Sequence, residues 1–439
     1  MVVSRKLYEH SCPHCSTTAH PVAEATLPPE FLKLLSSQTL NLIEAAFNKK
    51  QYGGVLSIIG KLLTTQVHDN YRTITPDWKT PDIEMLHRLT RDVWSFSAAK
   101  DYQQMRDLTL ALRDDTGKLR EFGAFKEAAQ KVCTKYNETW LQTEYNQAVA
   151  ASQNAARWTQ FTADKADIPF IEYQTVGDDA VRASHALLDG IVRKVDDSFW
   201  STHYPPNGWG CRCEVIQAVG LKSPKKDIPN VVIPEMFRTN LADTGLIYPK
   251  NHPYYTGIPK AEITKAIAYL PPENTFVTYA YKPEVSIHPL HGSGEVEGNL
   301  RVIEAFINNF SGAKNPITSI DLLPELNEND SKVKSKFYPK GFKMVDNRKH
   351  ADAIITFKNK DKWVVDFKYM DGKKGTKLAT RIKDASLKSN YAIIMFKNNV
   401  ELTKRQIINT MNEEKRQHKE LKGIIIMDKN KNVIWSIID

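Results

Sequence analysis

Cysteine is scarce in this chain: five in 439 residues, at irregular spacing. That excludes a small-protein disulfide framework, which needs cysteines at high density. A reducing compartment is therefore expected. Long apolar runs are also missing. No stretch of about 18 apolar residues exists, so no membrane-spanning helix is expected. No apolar segment follows residues 1–6, so no secretory signal is expected either. What remains is an ordinary globular composition, 41% hydrophobic and 25% charged. At this length two or three domains are expected.

The charge is uneven. Residues 331–439 hold 26 Lys+Arg against 12 Asp+Glu, a balance of +14 within a chain total of +9. The other 330 residues hold the remaining 34 and 39, a balance of −5. A basic C-terminal part favours a polyanionic partner, of which nucleic acid is the usual one. A solvated Lys-rich surface accounts for the charge equally well.

Near the start, Cys12 and Cys15 with His14 and His20 have the spacing of half a zinc site, or are plain thiols. Residues 31–63 and 82–132 carry apolar side chains at three- and four-residue spacing and read as helices. Residues 135–160 form the clearest helix, with Leu141, Tyr145, Ala148, Ser152 and Ala155 on one stripe. Its small residues allow close packing. No catalytic constellation precedes residue 130.

A short strand is expected over residues 168–173. Then come Asp178-Asp179, Arg182, His185 and Asp189-Gly190, and after them the loop Tyr204-Pro205-Pro206-Asn207-Gly208-Trp209-Gly210-Cys211-Arg212-Cys213. Its prolines and glycines continue neither a helix nor a central strand. His185, Cys211 and Cys213 are suitable zinc ligands, with a fourth expected from His203 or the N-terminal cysteines. The Cys-x-Cys spacing is tighter than usual for zinc. The preferred reading is that Arg182, His185 and Asp189 hydrogen-bond the Trp209 loop and fix its shape. A hydrolase built on Ser184, His185 and Cys211 lacks an elbow or oxyanion motif. Residues 221–290, rich in proline, read as a tail and linker holding one short helix.

These residues, with Asp196-Asp197-Ser198-Phe199-Trp200, resemble the phage Mu F-like minor head (head morphogenesis) proteins over roughly residues 130–220. The resemblance implies a minor virion component that contacts portal or capsid proteins. It also implies a structural role for Arg182, Asp189 and Trp209.

The C-terminal part reads differently. Residues 353–357 and 362–367 form two strands joined by a polar turn, a hairpin. Asp352 begins the first strand. Asp366 and Lys368 share a face of the second, because side chains alternate along a strand. Two carboxylates there suit a divalent cation such as Mg²⁺, and a lysine beside them suits phosphate. The pattern resembles the PD-(D/E)xK nucleases, which implies an extra acid from Glu297 or Glu304. Leu322-Leu323-Pro324-Glu325-Leu326, His350-Ala351-Asp352-Ala353, Val365-Asp366-Phe367-Lys368 and Arg381-Ile382-Lys383-Asp384-Ala385 also resemble the tRNase domains of contact-dependent inhibition toxins. That resemblance implies an RNase acting on tRNA in a bacterial host, with an immunity protein as partner. Its catalytic set would be Asp366, Lys368, Arg381 and Lys383, with His350 or His418 as proton carriers and no cofactor.

The expectation is an α+β multidomain chain: a helical N-terminal region (1–130), a Mu F-like domain (131–220), the linker (221–290) and a compact α/β nuclease-like domain (291–439). A structural head protein whose basic C-terminus binds DNA without cutting it is the main alternative.

Overall fold

The computed structural model describes residues 26–48, 53–74, 80–218, 222–224, 227–281, 283–292, 294–310, 312, 314–326, 331–372 and 375–439. Cys12, His14, Cys15 and His20 lie outside the described residues. The fold is α+β, in two compact units: residues 1–267 and 268–439.

The first unit begins with three long helices, α1 (Pro29–Phe47), α2 (Gly54–Ile74) and α3 (Thr80–Leu110). Proline at the first position of α1 costs no hydrogen bond there. Phe31, Leu35, Leu42, Ile43 and Ala46 form its buried stripe. The helix expected over residues 135–160 runs through α4 (Phe122–Thr134), a π-helical turn at Lys135–Thr139, and α5 (Trp140–Asp164). Its small stripe, Ala148, Ala151, Ser152 and Ala155, is buried, and α5 packs against α2.

Next comes a small antiparallel sheet in the order β2-β1-β3. It is formed by β1 (Phe170–Gln174), β2 (Val192–Lys194) and β3 (Glu214–Gln217), with one-turn helices α6 (Ala183–Ala186) and α7 (Trp200–His203) between them.

The proline-rich stretch, expected as a linker, is divided between the two units. Phe237, Ile247, Tyr248 and Tyr254 are buried in the first. Helix α8 (Leu241–Thr244) is capped by the Asn240 side chain and ends on Gly245 at φ 67°, a left-handed position that suits glycine. Tyr248 then stacks on Phe96 at 3.6 Å. Its backbone N–H and that of Ile247 both donate to Asp92 at 2.9 Å. The Tyr254 hydroxyl donates to Glu144, whose other oxygen pairs with Lys100 at 2.5 Å, both charges fully buried. Prolines end elements here, but the aromatic anchors between them still bury. A further helix, α9 (Lys260–Ala268), runs to the boundary.

The second unit is an eight-stranded mixed sheet. Its strands are β4 (Val277–Tyr281), β5 (Glu284–Ile287), β6 (Ile317–Leu322), β7 (Ala353–Phe357), β8 (Lys362–Met370), β9 (Tyr391–Phe396), β10 (Gly423–Met427) and β11 (Val433–Ile438). They lie in the order β11-β10-β9-β8-β7-β6-β5-β4. The β5–β6, β8–β9 and β9–β10 pairs are parallel. Strands β9 and β10 are buried along their whole length, as parallel strands covered by helices should be. Helices α10 (Val296–Phe310), α11 (Ser331–Phe337), α12 (Gly375–Ser386) and α13 (Lys404–Gln417) complete the unit. Leu378, Ile382, Ile394, Ile407, Met411 and Ile424 form one buried cluster under α12 and α13. A Thr403/Gln406 capping box starts α13. Strands β4 and β5 arise from the segment expected as linker. No helix among the described residues is long and apolar enough to cross a membrane.

Two outcomes follow for stability. Ile394→Ala, on the fully buried interior strand β9, is expected to lower the unfolding free energy of the second unit by about 2–5 kcal/mol. Urea titration of the full chain followed at Trp363 and Trp435 would show this, and an unchanged midpoint would contradict the packing described. Burial outweighs the two N–H donations to Asp92 and raises its carboxyl from 3.8 to about 7. The folded state therefore keeps this proton where the unfolded state has lost it. The associated stability is complete below pH 3.8 and is lost as pH rises to about 7. Asp92→Asn keeps an acceptor for both N–H groups and should flatten the pH dependence in that window. Part of the slope should persist, since burial raises Asp101 to about 7 as well. An unchanged slope would show that Asp92 is not the group responsible.

Candidate functional site

The Asp352, Asp366 and Lys368 pattern converges in the second unit. The hairpin pairs Ala353 with Val365, and the Asp352 N–H donates to the Val365 carbonyl at 3.0 Å. Asp352 is thereby held beside β8, where its carboxylate accepts the Phe367 N–H at 2.8 Å. Asp366 is wholly buried and Asp352 is 3% exposed. Two buried carboxylates side by side repel each other and need cations.

Two lysines supply them. Lys368 Nζ lies 2.7 Å from Asp366 and 3.9 Å from Asp352. Lys388 Nζ lies 2.5 Å from Asp366 and 3.3 Å from Asp352. The four groups alternate in sign. Burial raises the Asp366 carboxyl, Asp352 raises it further, and the lysines pull it back. Burial also opposes the charge of Lys388, yet the two carboxylates hold its ammonium above the usual lysine range.

Beside this tetrad is a cleft of about 410 Å³ lined by Glu295, Glu297, Asp352, Lys368, Arg381 and Lys397, among others. Helix α10, which packs against β8, brings Glu297 there. Glu304 is not part of it. Seven residues on, it lies about 10 Å farther along the helix, and it pairs with Lys431 at 2.6 Å. Arg381 lines the cleft, whereas Lys383 is exposed on α12 and does not. His418 pairs with Glu414 and Glu420, not with the tetrad. Burial, with Lys388 next, pushes the His350 ring down to about 4, so it is neutral at pH 7.

The tight loop of the first unit is a separate construction. Arg182 donates to the Trp209 carbonyl, as expected. The Tyr173 hydroxyl donates to Asn207 Oδ1 at 3.0 Å, and Asn207 Nδ2 donates to the Tyr204 carbonyl at 3.2 Å. Trp209 meets Phe237 and His252 edge to face. Arg212 forms a two-toothed pair with Asp178 at 2.7 and 2.8 Å. Asp189 corrects the expectation. Its carboxylate accepts from Thr175 N and Oγ1 at 2.6 and 2.8 Å, so it ties the end of β1 rather than the loop.

His185 Nδ1 stands 3.7 Å from Cys211 Sγ and 3.6 Å from Cys213 Sγ, and all three residues are buried. The Cys213 thiol, more than His185, holds Cys211 well below the usual thiol range against the effect of burial. Cys213 is pushed up in return. His203, considered as a fourth ligand, instead stacks on Phe199 at 4.5 Å and bonds Thr202.

Residues 97–216 match the family model described as phage Mu protein F like protein. This segment is a phage Mu F-like domain. Over 75 residues the chain is 43% identical to protein F of Escherichia phage Mu, described as a capsid assembly protein, covering 17% of each chain. Over 81 residues it is 41% identical to the Mu-like prophage FluMu F protein of Haemophilus influenzae, covering 17% of this chain and 20% of that one. The chain thus spans a fifth or less of the length of these curated relatives. No solved structure matches.

The Mu F-like domain contains the whole loop and its His-Cys-Cys cluster. Its matched residues reach back into α3, before the expected start at 131. The tetrad and its cleft lie outside the match.

Lys388 was absent from the sequence reading. It sits past the end of α12, one lysine among many in a basic region. Only the parallel β8–β9 pairing, which sets Asp366 opposite Ala392, carries it to the carboxylates. Lys388→Ala leaves Lys368 as the one cation shared by Asp352 and Asp366. Urea titration at pH 7 is expected to show a loss of about 3 kcal/mol, partly recovered at lower pH as Asp366 takes up a proton. A loss too small to measure would mean the tetrad is not the tight buried cluster described.

Proposed function

We propose that this chain is a phage head-assembly protein whose second unit cleaves nucleic acid. Its partners would be portal and capsid proteins, and its place the virion. The head half of this reading is supported by the Mu F-like domain. The nuclease half is supported by one observation: a buried carboxylate pair bridged by the ammonium groups of Lys368 and Lys388, with Asp352 and Lys368 lining a cleft that also presents Arg381 and Lys397.

The donor set suits a divalent cation of the Mg²⁺ type. Asp352 and Asp366 would hold it, with water completing the shell, since Mg²⁺ keeps several waters and takes few protein oxygens. Such an ion supplies charge neutralisation at phosphate and a more acidic bound water. The chain's own residues do the rest. Lys368 and Arg381 place positive charge where phosphate oxygens would lie, and charge grows on those oxygens in the transition state. The +14 balance of residues 331–439 raises the local concentration of any polyanion. His350, neutral and mostly buried, and His418, elsewhere, give little support to a metal-free RNase route. RNA of the tRNA type is the first substrate to assay, on the toxin-domain resemblance.

The test uses the full chain with total tRNA and with duplex DNA, in Mg²⁺ and in EDTA. The expected result is Mg²⁺-dependent cleavage of tRNA. Asp366→Ala and Lys368→Ala should each lower it by about 10²-fold or more. Cleavage of DNA alone would move the substrate, and cleavage that survives EDTA would overturn the cation role. No cleavage of either, with salt-sensitive binding, would leave a DNA-binding head protein.

A further inference from the structure

The His185, Cys211 and Cys213 cluster is built like a metal centre. A tetrahedral zinc ion with bonds of about 2.3 Å to sulfur and about 2.05 Å to nitrogen sets each nitrogen–sulfur edge near 3.6 Å. The observed edges are 3.7 and 3.6 Å. All three ligand atoms lie within 4.8 Å of one another, on buried residues, the one such group among the described residues.

We propose that His185, Cys211 and Cys213 bind one Zn²⁺ ion, which locks the loop of the Mu F-like domain onto α6. The tight Cys-x-Cys spacing ceases to be an objection in this geometry. Burial alternates along Cys211-Arg212-Cys213, with both cysteines buried and Arg212 half-buried, so the two cysteines face the same side. Arg212, between them, faces away to its pair with Asp178. Both thiols are thus delivered to one imidazole. The two cysteines form no disulfide. Two thiolates and one neutral imidazole cancel the charge of the ion, so the centre can be buried at little electrostatic cost. Val176, Arg182 and Gly210 line a small opening beside the same three residues. Water would supply the fourth ligand.

The ion would do the work of a cross-link. Residues 204–213 have few regular backbone hydrogen bonds, and the domain is expected in a reducing compartment where disulfides do not persist. Zinc bound by folded but not by unfolded chain adds its binding free energy to stability.

The test is made on the full chain carrying Cys12→Ser and Cys15→Ser, so that the N-terminal pair contributes nothing. After desalting, elemental analysis should find about one zinc per chain, as a preformed thiolate–imidazole site requires. Replacement by Co²⁺ should give thiolate-to-cobalt charge-transfer absorption and the visible bands of a tetrahedral site. Adding Cys211→Ser or Cys213→Ser should abolish both signals, and Cys133→Ser should leave them unchanged. Should the cysteine variants fail to fold, the cobalt spectrum of the background protein decides the matter alone. A background protein that is folded by circular dichroism, yet holds only traces of zinc and shows no thiolate band, would overturn the proposal. So would zinc retained in a folded Cys211→Ser/Cys213→Ser double variant.

Discussion

Two carboxylates buried side by side are the constraint on which the second unit turns. Asp366 is completely buried and Asp352 nearly so. Left alone, one of them would have to take a proton. Lys368 and Lys388 relieve this, but only because three segments meet: the hairpin brings Asp352 to β8, β8 carries Asp366 and Lys368, and the parallel approach of β9 brings Lys388. The remainder of the unit holds that meeting in register. The apolar strands β9 and β10 and the helices α12 and α13 form the cluster beneath it. A purely structural core would be served as well by apolar residues of similar volume. That two members of this polar tetrad, Asp352 and Lys368, line the wall of an open cleft is what points to chemistry.

The first unit solves a similar problem to a different end. Lys100 and Glu144 are buried as a pair, and Glu144 is bonded again by Tyr254. Asp92 receives two backbone N–H groups from the segment after α8. These polar anchors, with the Phe96–Tyr248 stack, hold a proline-rich stretch against the helices. Their partners belong to the protein itself. They fix the helical scaffold from which the small sheet and the Cys-x-Cys loop are presented.

Much of this was legible in the sequence where apolar patterning is strong. The apolar runs at residues 391–396, 423–427 and 433–438 are strands β9, β10 and β11, because an apolar run between turns leaves little freedom. Period two placed Asp366 and Lys368 together, and the hairpin placed Asp352 near them. Proline misled the reading over residues 221–290. Proline marks where an element stops, but carries no information on whether Tyr248 or Tyr254 will bury, or whether the few residues around Pro283 will pair as β4 and β5. Glu304 and Lys383 looked equivalent to Glu297 and Arg381 because residue type repeats, whereas position along a helix decides what each reaches. Lys388 was invisible for the opposite reason: nothing local distinguishes it, and its role exists only once β8 and β9 are paired.

The measurement that tests the central claim most directly is the location of a divalent cation. Crystals of the full chain grown with Mn²⁺ and measured at an anomalous wavelength would report it. The account predicts one anomalous peak between Asp352 and Asp366, with Lys388 displaced from its contact with both. An occupied Mn²⁺ site elsewhere, or Lys388 still bridging the two carboxylates at saturating Mn²⁺ with no peak there, would contradict it.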